Sequence, residues 1–275
     1  MMHYYPQKKW VLLLSVFMLP SFLFWCSGEY KDGIIFSAMA ISVYFFNLQL
    51  QQKRMNLKYC VAILFCFVVL FAFRNFLLFL LMPAMCVWFL ASRMPSKKWI
   101  AFITIYATGI ILFLASANIS GLPNLLQYVI NKQAEFKQIP GNSAVDVPLL
   151  EPTLKSFIHF FPAAMDMAFL RPHFSEAKSM SYIAATLENI FFIVLILGCI
   201  FFRDKKATLF SINVFLLFYS LSVLFLAGYT VTFSGAIVRY KSIVLPFLIT
   251  FFIVMIDEKK LLKIFRIKKI GNSTK

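Results

Sequence analysis

The chain has 275 residues, of which 61% are hydrophobic and only 14% charged, a balance that excludes an ordinary soluble globular domain. Its formal charge of +16 would suit a nucleic-acid binder, but such proteins gather their basic residues on one folded face or arm. Here Lys and Arg cluster at the breaks between apolar runs, so no nucleic acid is expected and membrane lipids with anionic headgroups are the expected partners.

A helix crossing about 30 Å of hydrocarbon needs about 20 apolar residues. Eight runs approach that length: 10–26, 34–50, 59–73, 76–91, 99–115, 182–202, 209–227 and 243–256. Their unbroken apolarity predicts helices, because barrel strands would alternate polar and apolar residues. The first run follows Lys8 and Lys9 as in a secretory signal, yet Phe24 and Trp25 precede Cys26 where cleavage needs small residues. It reads as an uncleaved anchor. Only Arg74 and Asn75 separate the third and fourth runs, so 59–91 forms either a hairpin of two crossings or a re-entrant dip. The expectation is an all-α polytopic bundle of about eight transmembrane helices, or six if that hairpin is re-entrant.

With eight crossings, Lys8/Lys9, Lys53/Arg54/Lys58, Arg93/Lys97/Lys98, Arg203/Lys205/Lys206 and the tail from Lys259 all lie on one side. That side then holds 18 of the 27 Lys and Arg but only three acidic residues, Asp204, Asp257 and Glu258. The positive-inside rule makes it the cytoplasmic side, with both termini there. The whole of 1–275 reads as one multi-pass transmembrane domain. Its one sizeable outer loop is 116–181. There Leu122, Leu125, Leu126, Val129, Ile130 and Phe136 recur at helical spacing and predict an interfacial helix, broken at Pro140, Gly141 and Asn142. A second short helix, interfacial or re-entrant, starts at Pro152 and runs through Lys155, His159 and Asp166 to Phe169, ending at Arg171 and Pro172. The tail 257–275 mixes Leu261, Leu262, Ile264, Phe265 and Ile267 with basic residues, as an amphipathic segment on the inner leaflet or a basic stop-transfer anchor.

Cys26, Cys60, Cys66, Cys86 and Cys199 all lie in apolar runs without metal-ligand spacing, and no P-loop, dinucleotide fingerprint or GxSxG elbow occurs. No cofactor and no bound metal are expected. Ionisable groups within a bilayer are functional suspects, and the spans carry few: Arg74 in the outer turn and Glu188 near the outer end of its helix. The outer side is better supplied. His159 and Asp166 are seven apart and share a helix face; Arg171, His173, Glu176 and Lys178 follow; Arg239 and Lys241 stand immediately before the last span. Arg engages phosphate oxygens through paired hydrogen bonds while a carboxylate or imidazole takes a proton, so this mixture suits a lipid-linked phosphate. Glu29 and Asp32, three apart in the first outer loop, would be a base or metal-binding pair, or an ordinary polar turn.

The segment Gly235-Ala236-Ile237-Val238-Arg239-Tyr240-Lys241-Ser242-Ile243-Val244-Leu245-Pro246-Phe247 resembles the Arg-rich approach to a late membrane helix in polytopic glycosyltransferases that use polyprenyl-phosphate sugars. The stretches Phe161-Pro162-Ala163-Ala164, Phe169 to Ala177 and Leu187-Glu188-Asn189 resemble a block in multi-spanning proteins of the same bacterial envelope setting. The resemblance implies a lipid-linked saccharide, with Arg239 near its phosphate and Glu29 or Asp32 as base or metal ligand. The expected function is cell-surface polysaccharide or lipid-linked glycan assembly on the extracytoplasmic face. Asp166, His159 or Glu29 would be the proton acceptor, with Arg239, Arg171, Lys241, His173 and Glu188 as substrate-binding residues. A transporter or flippase of a lipid-linked intermediate, and a non-catalytic membrane subunit, are the alternatives.

Overall fold

The computed structural model describes residues 1, 4–28, 30–52, 55–116, 124–139, 143–176, 179–204, 209–257 and 260. The chain is an all-α polytopic bundle. Its helices are α1 (Lys9–Phe17), α2 (Pro20–Cys26), α3 (Asp32–Gln51), α4 (Leu57–Arg93), α5 (Lys98–Ala115), α6 (Leu125–Gln138), α7 (Leu154–Met165), α8 (Met180–Phe201), α9 (Ser211–Thr230) and α10 (Ser234–Met255). Among the described residues there is no β-strand, only the isolated bridges Ala144 to Phe233 and Arg203 to Ile256. Six helices are long and apolar enough to cross a membrane, and the bent pair α1–α2 makes a seventh candidate span.

The run 10–26, read as one span, is broken. Proline at position 20 has no N–H to donate and forces the preceding residue out of the helical region. Leu19 is extended at φ −68, ψ 122, and the two halves meet at a 63° bend. Helix α4 is also not one rod. A straight helix of its 37 residues would reach about 55 Å, well beyond a bilayer core. Arg74 leaves the helical region (φ −153, ψ 78) and the chain doubles back. Tyr59 lies 5.3 Å from Phe45 and Trp88 lies 5.1 Å from Phe46, ring centre to ring centre, so both ends of α4 meet neighbouring residues of α3. Phe71 and Phe79 face each other across the turn at 6.5 Å. The arms 57–73 and 75–93 each rise about 25–28 Å, long enough to traverse the hydrocarbon.

Helices α9 and α10 form the centre, with 61% and 78% of their membrane-length windows buried, while α5 lies at the rim with 6%. Trp88, Phe215 and Tyr219 stack through this centre, at 4.7 Å and 5.7 Å between successive rings. One end of the bundle is basic. There Lys8 Nζ donates to the carbonyls of Ile253, Val254 and Ile256 at the C-terminus of α10, and Lys98 Nζ donates to Leu209. The other end carries α6 and α7. Asn124 and Thr153 cap these helices through their side chains, and Leu126, Val129, Phe157 and Phe160 pack together with Val147 and Leu150. The expected Leu122 and the tail from Leu261 lie outside the described residues.

The last span begins earlier than its apolar run: α10 starts at Ser234, not Ile243. Arg239 and Lys241 are thus inside the helix rather than in a loop before it. Hydropathy ends the run at these charges because it scores each side chain as if alone, whereas both are paired.

Candidate functional site

Helix α10 arranges the loop end. Successive residues turn by about 100°, so Ser234 and Lys241 share one face, Gly235 and Val238 the next, and Arg239 a third.

On Arg239's face lies a buried ion cluster. Asp32, in the first turn of α3 and fully buried, receives Arg239 through Nε and Nη2, both 2.6 Å from its Oδ2. Arg74, at the tip of the α4 hairpin, places Nη2 2.8 Å from the carboxylate's Oδ1. That approach is short but misaligned for a hydrogen bond, and among the described residues neither Asp32 Oδ1 nor the buried Arg74 Nη1 has a hydrogen-bond partner. Arg239 lies 5.0 Å over the Trp25 ring and 5.4 Å over Tyr30, and Arg74 lies 4.4 Å over Tyr240. Among the described residues, two guanidiniums thus share one carboxylate, an excess of one positive charge. The local chain geometry depends on Gly33: a Cβ there would sit 2.6 Å from the carbonyl oxygen of Cys26, so only glycine lets α3 start this close to the end of α2.

On the face of Ser234 and Lys241 lies a loop cluster. Helix α7 ends in a single π-helical turn, Asp166–Leu170. Arg171 donates from Nε to Asp166 at 2.8 Å and from Nη1 to Glu176, which also accepts from Ser234 Oγ at 3.0 Å and from the His173 backbone at 3.2 Å. His173 Nε2 lies 2.8 Å from the other Asp166 oxygen, and its side chain is 40% exposed. Asp166 therefore has both oxygens engaged and orients His173, whose Nδ1 is the nitrogen left to exchange a proton. Arg171, read from sequence as a phosphate ligand, turns two of its donors to carboxylates instead. His159 is exposed and forms no ion pair or hydrogen bond among the described contacts. It shares Asp166's helix face, but seven residues are about 10 Å of rise, so direction is shared and place is not.

Lys241 and Glu188, expected to meet substrate, are enclosed by protein. Lys241 Nζ donates to Asn189 Oδ1 at 2.5 Å and to the carbonyl oxygens of Arg171 (3.2 Å) and Phe169 (3.5 Å), tying the loop to α8 and α10. Glu188 accepts from the backbone N–H of Ser21 at 2.8 Å and its hydroxyl at 2.6 Å, satisfying donors that the Pro20 break exposes. Glu29 lies outside the described residues.

Between the two charged faces, along Gly235 and Val238, runs a groove of about 330 Å³ formed by α2, α8 and α10. Pro20, Ser21, Trp25 and Tyr182 also line it, and Trp25 joins it to the ion cluster. A Cβ at Gly235 would lie 3.1 Å from the Tyr182 hydroxyl and narrow it. Among the described residues, no three His, Cys, Asp or Glu side chains gather as a metal site.

Sequence reading singled out Asp32, Arg74 and Arg239 separately but missed their convergence, since 207 residues separate Asp32 from Arg239. Ser21 was missed too; the adjacent Pro20 was its one signal. Comparison with protein families, curated proteins and solved structures finds no match to the chain. The class that fold and composition define is that of multi-pass α-helical membrane proteins.

Proposed function

We propose that this membrane protein handles a lipid-linked anionic amphiphile of the polyprenyl-phosphate-sugar kind, on the extracytoplasmic side of a bacterial inner membrane, in cell-surface glycan assembly. The excess of Lys and Arg at the opposite end supports that orientation. One observation carries the substrate class: among the described residues, Arg74 and Arg239 converge on a single carboxylate beside an apolar groove, with Arg74 Nη1 unpartnered. A phosphate would supply the missing negative charge and acceptor, and the groove would hold apolar or saccharide parts. Where a hydroxyl must lose a proton, His173 oriented by Asp166 is the acceptor this geometry offers. A transport reading draws on the broken α1–α2 span, since discontinuous helices mark many transporter sites.

The test is binding of farnesyl phosphate against farnesol to the purified chain, followed by Trp fluorescence, with Trp25 in the site. Loss of a charged hydrogen bond of about 1.5–3 kcal/mol predicts that Arg239→Gln weakens farnesyl phosphate binding about 10- to 100-fold. Equal affinity for farnesol and farnesyl phosphate, or an unchanged Arg239→Gln, would refute the proposal. A flipping role would show as movement of the lipid between leaflets that survives His173→Ala.

A further inference from the structure

A second groove, of about 230 Å³, lies between α1, α3 and α10, with Ile212 and Leu216 of α9 also lining it, on the basic-end side of the ion cluster. On α3 it is lined by Phe36, Ala40, Val43, Tyr44 and Asn47, of which all but Tyr44 are spaced at three and four residues from one another and in register with Asp32. On α10 it is lined by Phe247 and by Pro246 and Thr250, the last two seven and eleven residues after Arg239 and hence on Arg239's own face. Both helices that hold the Asp32–Arg239 pair therefore continue directly into the groove. From Asp32 to Asn47 is about 22 Å of helix, and from Arg239 to Thr250 about 16 Å. The polar side chains at its foot are engaged within the protein: Asn47 accepts from Tyr4 at 3.0 Å and Thr250 donates to the Pro246 carbonyl at 2.7 Å.

We infer that this groove is the seat of the hydrocarbon tail of the anionic ligand, so that one prenyl chain descends between α1, α3 and α10 from a phosphate held by Arg239 and Arg74. The inference rests on the proposed reading of the ion cluster and adds to it the chain's number and course. Charge complementarity selects the occupant: the cationic cluster heads the groove, which favours a lipid with its negative charge next to the chain. Size selects it as well, because a groove of about 230 Å³ offers room for a single chain rather than the two of a diacyl lipid. The larger groove beside Trp25 then lies on the far side of the phosphate from the tail, where the remainder of the head would extend.

The experiment uses the full chain in phosphatidylcholine vesicles and a farnesyl phosphate carrying a diazirine at the chain's far end. Photolabel is expected within 36–47 and 246–250. Ala40→Trp, which fills the groove, is expected to cut that labelling at least tenfold and leave binding of butyl phosphate unchanged, whereas Arg239→Gln reduces both. Wild-type labelling concentrated elsewhere, such as the lipid-exposed α5, while butyl phosphate still binds, overturns the inference alone. Equal labelling of the groove by an acyl-diazirine phosphatidylcholine that farnesyl phosphate does not displace also overturns it, assigning the slot to bulk lipid. Failure of both phosphates to bind removes the reading of the ion cluster itself.

Discussion

The Asp32–Arg74–Arg239 cluster makes a quantitative demand on stability. Asp32→Asn keeps the shape but deletes the negative charge, leaving the Arg74 guanidinium, its side chain 8% exposed, with the Tyr240 ring as its remaining charge-stabilising contact. An uncompensated buried charge of this kind costs about 3–5 kcal/mol. Arg239, 27% exposed beside Trp25, can turn toward water and adds about 1 kcal/mol or less. Arg74→Met should cost less, about 1–3 kcal/mol, because Asp32 keeps both donors of Arg239 and the methionine retains an apolar stem. The double variant Asp32→Asn/Arg74→Met no longer buries an unpaired cation. It should therefore be more stable than Asp32→Asn alone by about 2 kcal/mol, roughly thirtyfold in the unfolding equilibrium. Unfolding of the purified chain by SDS in mixed micelles, read by Trp fluorescence, measures all three. Additive losses, with the double variant the least stable, would refute the argument that the charges are coupled.

Two further outcomes follow from packing and orientation. A Cβ at Gly228 would lie 2.3 Å from the Ala164 carbonyl oxygen and 3.2 Å from the Ala168 Cβ, so Gly228→Ala must push α7 and its π turn off α9. It should cost about 1–3 kcal/mol in thermal unfolding in detergent, whereas Gly109→Ala, with nothing within 4 Å of its Cβ, should be neutral or stabilising; equal behaviour would count against the α7–α9 contact. In a cysteine-free background, Met180→Cys and Met55→Cys replace side chains that are each 83% exposed at opposite ends of the bundle. A membrane-impermeant maleimide should label the first in intact cells and the second only after permeabilisation, and the reverse pattern would invert the orientation.

Most of the fold was legible because a bilayer imposes a coarse rule, that long apolar segments are helices, and each of the eight runs corresponds to helix. The hairpin at Arg74 stood open between two readings, and contacts of Phe45 with Tyr59 and Phe46 with Trp88 show the doubling back that both readings share. What hydropathy missed were places where one residue changes the meaning of a run. Pro20 splits the first run by removing a backbone donor, and Arg239 and Lys241 extend the last run because each finds partners. The candidate site was legible only as a set of suspects. Glu29 and Asp32 looked like a local carboxylate pair, yet the partners of Asp32 are guanidiniums far along the chain. No local pattern encodes a pairing of that kind.

The bundle's cations differ in what answers them, and that difference bears on function. Lys8 and Lys98 at the basic end, and Lys241 at the loop end, are met by carbonyl oxygens at helix ends and turns, partial charges fixed in the fold. Arg171 is met by two carboxylates. Among the described residues Arg74 and Arg239 share one, and the Arg74 guanidinium is too buried for water to screen it. An added anion would gain more there than beside Lys241 or Arg171, where it would compete with oxygens already in place. The same reasoning makes salt a discriminating variable: binding at the shielded Asp32–Arg74–Arg239 cluster should weaken far less between low and high ionic strength than attachment of anionic lipid to the exposed lysines of the basic end.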